Sequence, residues 1–548
     1  MSYVTKLSLS HVITMKNTTA YLFTNSQALI SYSIALLLLI CFFYLSITHD
    51  DQVVGYLSDD AIYLLMAEMY SLWSNDINPV LNFIRSEYYF PPLYPILLGL
   101  LGADSSSPAL ASSITTVFLL SNIFIFGLWI WRETRQFLPT IMLPLIFTFL
   151  PSTIIMSQGL WSEFLFMCFI YGAFICLSPQ YPDGKQWLLT ALLLSMASLT
   201  RSIGIIFIAA YCLLLFIKKI PRAFLLSLVC VTPFIGWSLY RKQMTGDSVY
   251  IKELLLIFNS EGNFSSNVLE HLYNQPAVML DSIFHLFSFK QFDGGNQSIY
   301  LLLILMLLLF SSIGFLIRLK QQKIDAIIVP LYLGTVLIWP YTETYFVSRF
   351  LFPLLPLFIF YIWVSVDYCA KSTMAKNMIL TLCLITITFL AYPSTNKFIN
   401  RAFLNTEPEL MPYRRSRAWL LADTDDAAIE VAIRAKNLIE VLNKLKQYVN
   451  KNDCIFAFQT PMVMIHTQRM SRKLPLPYTS DEQFKAETSQ CRYILATFLV
   501  DLNGNYPAYY PLSRIPDEPQ YITTPFILRF GNKEQPIAFL VEQTSFKD

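Results

Sequence analysis

Eleven stretches of this sequence are apolar in the way a bilayer demands. They lie at approximately 27–47, 109–131, 138–157, 162–178, 187–200, 203–217, 223–240, 299–317, 326–340, 350–367 and 377–392. A hydrocarbon core of about 30 Å needs roughly 20 apolar residues per helix. The runs at 187–200 and 203–217 are the shortest of the set. The stretch PPLYPILLGLLG at 91–102 is too short to cross and reads as a partial or broken span.

Composition agrees with this reading. The chain is 55% apolar and only 14% charged, whereas soluble domains carry about 25% charged residues. Its 39 basic and 37 acidic residues leave a net charge of +2, which gives no electrostatic reason to expect a nucleic acid partner. The charge is unevenly spread. Residues 393–548 hold 36 of the charged side chains in 156 positions, and residues 1–392 hold the other 40. The first part reads as a polytopic α-helical membrane domain and the second as a folded aqueous domain.

The basic residues orient the spans. Lys6 and Lys16 precede the first run, Arg132 and Arg135 follow the second, and Lys185 follows the fourth. Lys218, Lys219 and Arg222 follow the sixth, Arg318, Lys320 and Lys323 the eighth, and Lys371 and Lys376 the tenth. With eleven crossings all of these loops fall on one side, the cytoplasm. The opposite side receives loops 48–92 and 241–298, the turn at 341–349 and the domain from 393 to 548. The first run is long and has no small-residue cleavage site after it, so it reads as a span rather than a signal peptide.

Loop 48–92 contains SDDAIYLLMAEMY at 58–70. Ile62, Leu65, Met66, Met69, Leu72 and Trp73 recur at helical spacing, which predicts an amphipathic helix on the membrane surface. Ser58 would cap it, with Asp59 and Asp60 in its first turn. In the C-terminal domain a buried stripe predicts a helix over about 426–450. Strand-like runs follow at 453–459, 491–500 and 536–542, with a short helix near 480–490, so the domain reads as α/β. No glycine-rich phosphate fingerprint and no zinc spacing accompany them. Seven of the nine cysteines lie in or beside apolar runs. Cys454 and Cys491 alone fall in the aqueous domain, each at the start of a strand-like run, and either a bridge or two buried thiols would suit them.

The informative residues are ionisable groups at membrane edges on the non-cytoplasmic side. Asp59 and Asp60 read either as a solvated helix start or as a catalytic or metal-binding carboxylate pair at the water–lipid boundary. Glu163, in SQGLWSEFLF, opens an apolar run, where an acid is costly and by default functional. The bland alternative is a carboxylate solvated at the loop edge. Arg201 lies between two apolar runs on the side poor in positive charge; it either snorkels or clamps a lipid phosphate. Arg349 opens the tenth run, with Tyr341, Glu343 and Tyr345 on the same turn, and the phosphate reading extends to it.

Four of these stretches together resemble the GT-C superfamily of polytopic glycosyltransferases, in particular the lipid A aminoarabinose transferases and protein O-mannosyltransferases. They are SDDAIYLLMAEMY, FPPLYPILLGLL at 90–101, SEFLF at 162–166 and RFLFPLLP at 349–356. The resemblance covers residues 27–392 and departs in one place: an Asp-Asp pair stands where the family often has Asp-Glu. It implies a hexosyl or pentosyl transferase that takes a sugar from a polyprenyl-phosphate donor and passes it to a lipid, glycan or protein acceptor, with inversion. It further implies Asp59 as catalytic acid–base residue, Glu163 as second acid, Arg201, Arg349 and Tyr345 around the phosphate, and a divalent cation that Asp59 and Glu163 could share. The setting implied is the inner (plasma) membrane of a bacterium, with the C-terminal domain in the periplasm or outside. Rival readings are a surface-polysaccharide polymerase or ligase, a lipid-linked-glycan flippase, and an inactive GT-C-like protein.

Overall fold

The computed structural model describes residues 37–38, 40–47, 54, 59–72, 80–81, 84, 90–178, 182–245, 264–288, 297–339, 343–370, 372–414, 417–475, 479–497, 514, 520–521, 527–530, 533–536 and 538–542. Ser58, Trp73 and Tyr341 lie outside the described residues, as do most of loop 48–92 and parts of loop 241–298.

After helical residues 40–47, the described residues of the first part of the chain form fifteen α-helices. They are α1 (Asp59–Tyr70), α2 (Leu93–Leu100), α3 (Pro108–Thr134), α4 (Phe137–Phe149), α5 (Pro151–Met156), α6 (Glu163–Leu177), α7 (Gly184–Thr200) and α8 (Ile205–Ile217). Then come α9 (Ala223–Thr245), α10 (Phe264–Phe287), α11 (Gln297–Lys320), α12 (Ile324–Ile338), α13 (Thr344–Leu351), α14 (Leu355–Cys369) and α15 (Thr373–Ala402). Five described segments are long and apolar enough to cross a membrane: Pro108–Thr134, Ala223–Gln243, Ser298–Lys320, Thr344–Cys369 and Met374–Ala402. Four shorter apolar helices accompany them, Phe137–Phe149, Glu163–Leu177, Ser202–Ile217 and Ile324–Ile338. The chain is an integral membrane protein. Among the described residues every predicted run is largely helical, the first over 37–38 and 40–47 alone; the number of crossings stays an expectation.

Prolines explain where the runs break. The run at 138–157 splits because Leu150, just before Pro151, is extended (φ −68°, ψ 140°), as steric conflict with a following proline ring favours. The run at 350–367 tightens into a 3₁₀ turn at Phe352–Leu354, which contains Pro353. The last apolar helix continues past the expected boundary at 392: Pro393 is accommodated inside α15, which runs on through STNKFINRA to Ala402.

The predicted surface helix forms as α1, but it is not half exposed. Asp60 through Ala67 are all buried, while Leu72, expected on the apolar stripe, is 76% exposed. A helix buried all round has partners on both sides. On one side is α2, the short helix expected from the Pro-Pro segment. There a Cβ on Gly99 would sit 2.3 Å from the Ala67 carbonyl oxygen, so the close backbone approach requires glycine.

The C-terminal domain carries α16 (Arg417–Leu421), α17 (Asp425–Leu445), α18 (Thr460–Thr467) and α19 (Asp481–Thr488). Its strands are β1 (Cys454–Ala457), β2 (Met470–Lys473), β3 (Tyr493–Thr497), β4 (Gln520–Tyr521), β5 (Ile527–Phe530), β6 (Lys533–Pro536) and β7 (Ala538–Glu542). Five strands form a mixed sheet in the order β2-β1-β3-β7-β4, with β1 parallel to β2 and β3, and β7 antiparallel to its neighbours. β5 and β6 make a separate hairpin. The predicted α/β pattern is present, with α16, α18, β2, β4, β5 and β6 as elements the sequence reading did not include. Cys454 and Cys491 are joined in a disulfide, with Cα atoms 4.9 Å apart.

Candidate active site

Asp59, Glu163, Arg201 and Arg349 come from four separate parts of the chain and meet in one cluster. Each is delivered by a helix end. Asp59 is the first residue of α1 and Glu163 the first of α6, positions where a carboxylate meets the positive end of the helix dipole. Arg201 is extended (φ −144°, ψ 135°) in the joint between α7 and α8. Arg349 lies in the last turn of α13.

Arg349 bridges the two acids. Its Nη1–H donates to Asp59 Oδ2 at 2.7 Å, and its Nε–H donates to Glu163 Oε1. Arg201 pairs with the same Glu163 Oε1. The Glu163 side chain is fully buried, whereas that of Asp59 is 26% exposed. Two guanidiniums thus neutralise two carboxylates, which is what allows a buried glutamate at this depth. Glu163 Oε2 makes no hydrogen bond among the described residues.

Aromatic groups fix the arginines. The Arg349 guanidinium lies 3.9 Å from the centroid of the Trp161 ring, and that of Arg201 lies 5.9 Å from that of Phe350. The Tyr332 hydroxyl donates to the Phe350 carbonyl at 2.7 Å and so holds the backbone next to Arg349. Tyr63, one turn after Asp59, shares a 2.9 Å hydrogen bond with Ser162, tying α1 to the start of α6. Burial, followed by the charges of Asp59 and Glu163, pushes the Tyr63 phenol well above its ordinary range, while the two arginines pull it back. Tyr63 therefore stays protonated.

The other expected residues are placed differently. Asp60 is buried, and its Oδ1 accepts from the Ala61 N–H at 2.9 Å. Tyr345 sits one turn before Arg349 on α13, its ring against Phe346 and its carbonyl accepting from Ser348. Sequence reasoning gave no role to Trp161, Ser162 or Tyr63, although Trp161 stands two residues from Glu163 in the same stretch.

The cation that Asp59 and Glu163 could share stays an expectation. One oxygen of each carboxylate is engaged by a guanidinium, and no three His, Cys, Asp or Glu side chains converge among the described residues.

A second buried ionic cluster lies at the other end of the bundle. Arg318 donates from Nε and Nη2 to the two oxygens of Asp325 at 3.0 and 2.6 Å, and from Nη1 to Glu133 at 2.5 Å; Lys323 reaches Glu133 at 3.2 Å. The fifteen residues of α12 separate the ends, a rise of roughly 22 Å.

No family model matches the sequence, and no curated protein matches it. Among solved structures the chain is similar to ArnT from Cupriavidus metallidurans bound to undecaprenyl phosphate, with a TM-score of 0.50 and 10% identity over 94% of this chain and 98% of that one. It is also similar to the arabinofuranosyltransferase AftD from Mycobacteria (TM-score 0.47, 13% identity, 93% of this chain and 40% of that one). A third similar structure is the oligosaccharyltransferase AglB from Archaeoglobus fulgidus with an inhibitory peptide and a dolichol-phosphate (TM-score 0.45, 9% identity, 85% of this chain and 69% of that one). The likeness to ArnT runs nearly the whole length of both chains, and it makes the fold of this protein the GT-C fold.

Proposed function

We propose that this protein is a membrane glycosyltransferase that moves a sugar from a polyprenyl-phosphate donor to an acceptor hydroxyl on the non-cytoplasmic side. The observation that carries the reading is the cluster itself: a half-exposed carboxylate and two aromatic-braced guanidiniums at the ends of apolar helices. ArnT, whose fold this chain shares, was solved with undecaprenyl phosphate. A donor of that kind keeps its isoprenoid tail in lipid and presents its phosphate at the membrane edge, where Arg201 and Arg349 sit. The Cys454–Cys491 disulfide supports an oxidising compartment for the C-terminal domain.

In this reading the donor phosphate takes the place of Asp59 as a ligand of Arg349. Asp59, released, accepts the proton of the acceptor hydroxyl as its oxygen attacks the anomeric carbon. The bond between that carbon and the phosphate oxygen breaks, and its electron pair leaves on the phosphate, where Arg201 and Arg349 stabilise the growing charge. Attack from the opposite face inverts the anomeric centre. Glu163 holds the two arginines at a fixed spacing.

The test is transfer of labelled sugar from polyprenyl-phosphate donors to membrane extracts by the purified protein in lipid. Transfer that is lost in Asp59→Asn and Arg349→Ala supports the reading. Full transfer in both variants, or none in the wild type across hexosyl and pentosyl donors, defeats it.

A further inference from the structure

Helix α18 belongs to the C-terminal domain, yet its surface is divided between two cores. It makes the crossover between the parallel strands β1 and β2. Met462 and Val463 pack into the domain's own core with Leu442, Ile455 and Leu495. Met464 and Ile465, the next two residues, pack instead with Val54, Ala61, Ile62, Leu64 and Leu65 of the first outer loop and α1. Neighbouring residues on a helix point to different sides, so TPMVMIHT is buried on both. At the end of this face the His466 ring donates its Nε2–H to the Val54 carbonyl at 3.1 Å.

We infer that His466 is a positioning residue: with Met464 and Ile465 it makes the C-terminal domain the outer wall that holds α1, and through α1 Asp59, in register with Arg349. The inference rests on the function proposed above. The fold supports it from both sides. The lower face of α1 meets α2 at Gly99 and the start of α6 through Tyr63 and Ser162. The upper face has α18 as its partner, which is why eight consecutive residues of α1 are buried. Val54 is a few residues upstream of Asp59, so its carbonyl anchors the entry to the helix.

The contact is built to respond to acid. Burial against the apolar face, then the nearby Lys446 charge, bring His466 from 6.5 to about 4, while the bond to Val54 opposes the drop. The other charged groups on the elements packed against α18 are Asp59, Asp60 and Glu68 on α1, Asp425, Asp426, Glu430, Arg434, Lys436, Glu440 and Lys444 on α17, and Arg472 and Lys473 on β2; β1 carries none. Asp59 is engaged by Arg349 and Glu68 by Ser105. The docked state binds its proton less readily than the undocked one, so docking weakens as pH falls from 6.5 towards 4.

The experiment compares His466→Phe, which removes the donor, with His466→Gln, which keeps an N–H near the Nε2 position and does not titrate. Two readouts are taken on the full chain in lipid nanodiscs: hydrogen exchange of residues 54–70 and sugar transfer. His466→Phe is expected to speed exchange in that segment about tenfold or more. It should cut turnover between about tenfold and a hundredfold, the scale of a misplacement near 1 Å, while donor KM stays within twofold because the arginines sit on other helices. His466→Gln should restore both and keep its turnover on the acid side, where the wild type loses it. If the Phe variant does not fold, Met464→Ala, which thins the same contact, must show the faster exchange. Unchanged exchange in His466→Phe and Met464→Ala, failure of Gln to rescue, or superimposable pH profiles for wild type and Gln overturns the inference. A wild type that transfers no sugar overturns the functional reading alone, and the exchange data then decide the docking.

Discussion

Asp59→Asn tests the central ionic arrangement because it should move binding and turnover in opposite directions. In the resting protein Asp59 occupies Nη1 of Arg349 at 2.7 Å, so a donor phosphate competes with it for that guanidinium. The pair is partly open, with the Asp59 side chain 26% and the Arg349 side chain 10% exposed. Solvent screening therefore discounts its worth to about 1 kcal/mol, or about fivefold in affinity. Asparagine keeps the shape and removes the charge, so polyprenyl phosphate should bind about fivefold more tightly. Turnover should meanwhile fall by about 10²–10⁴-fold, the usual contribution of a positioned base. The binding arm is a titration of fluorescent polyprenyl phosphate into nanodisc-embedded protein; the catalytic arm is transfer of labelled sugar. Weaker phosphate binding in Asp59→Asn would show that Asp59 does not hold Arg349 against the donor. A turnover loss under roughly tenfold would show that it is not the base.

Four further outcomes follow from other parts of the molecule. Arg318→Leu strands Asp325 and leaves Glu133 with Lys323, so the melting point should drop by the equivalent of about 3–5 kcal/mol while the folded fraction keeps its transfer activity. Gly99→Ala drives a methyl into the Ala67 carbonyl; a loss of about 1–3 kcal/mol together with reduced turnover is expected, and wild-type behaviour in both assays would show that α1 and α2 separate freely. Peptide mapping without reductant should recover Cys454 linked to Cys491. Breaking that crosslink across 37 residues should cost the domain about 3–4 kcal/mol, and two free thiols would contradict the oxidising compartment. Reporters fused at residue 548 and near residue 321 should be active on opposite sides of the membrane, outside and inside; the reverse pattern would invert the whole site.

Much of this molecule could be read before it was seen, for physical reasons that differ by feature. The apolar runs and their one-sided lysines and arginines are local signals, and the helices lie where those runs are. The four charges of the site were conspicuous because a charge at the edge of an apolar run is expensive. Their pairing was not legible: Arg349 and Asp59 are 290 residues apart in the chain, and nothing local in either stretch encodes the other. The expected phosphate clamp also binds the expected base, a relation that only the packing of α1, α6 and α13 reveals. The surface helix was misjudged for a related reason. Helical periodicity counts the apolar residues of one face and is blind to a partner from another domain, so the burial of Leu64 was invisible. The signal for that partner was present in TPMVMIHT, whose continuous apolar run is too short for a span and too dense for a half-exposed helix.

The last apolar helix does not stop at the membrane. It continues to Ala402, and its end is joined to the domain by the Trp419 indole on the Arg401 carbonyl, by Arg401 on the Thr424 and Ala422 carbonyls and by Lys397 on the Leu421 carbonyl. That is one mounting; the seat of α18 on α1 is another. The C-terminal domain is held at both of these mountings, and α17 adds Ala428 and Ala432 to the main helical core, so any displacement of the domain would be passed on to the helix that begins with Asp59.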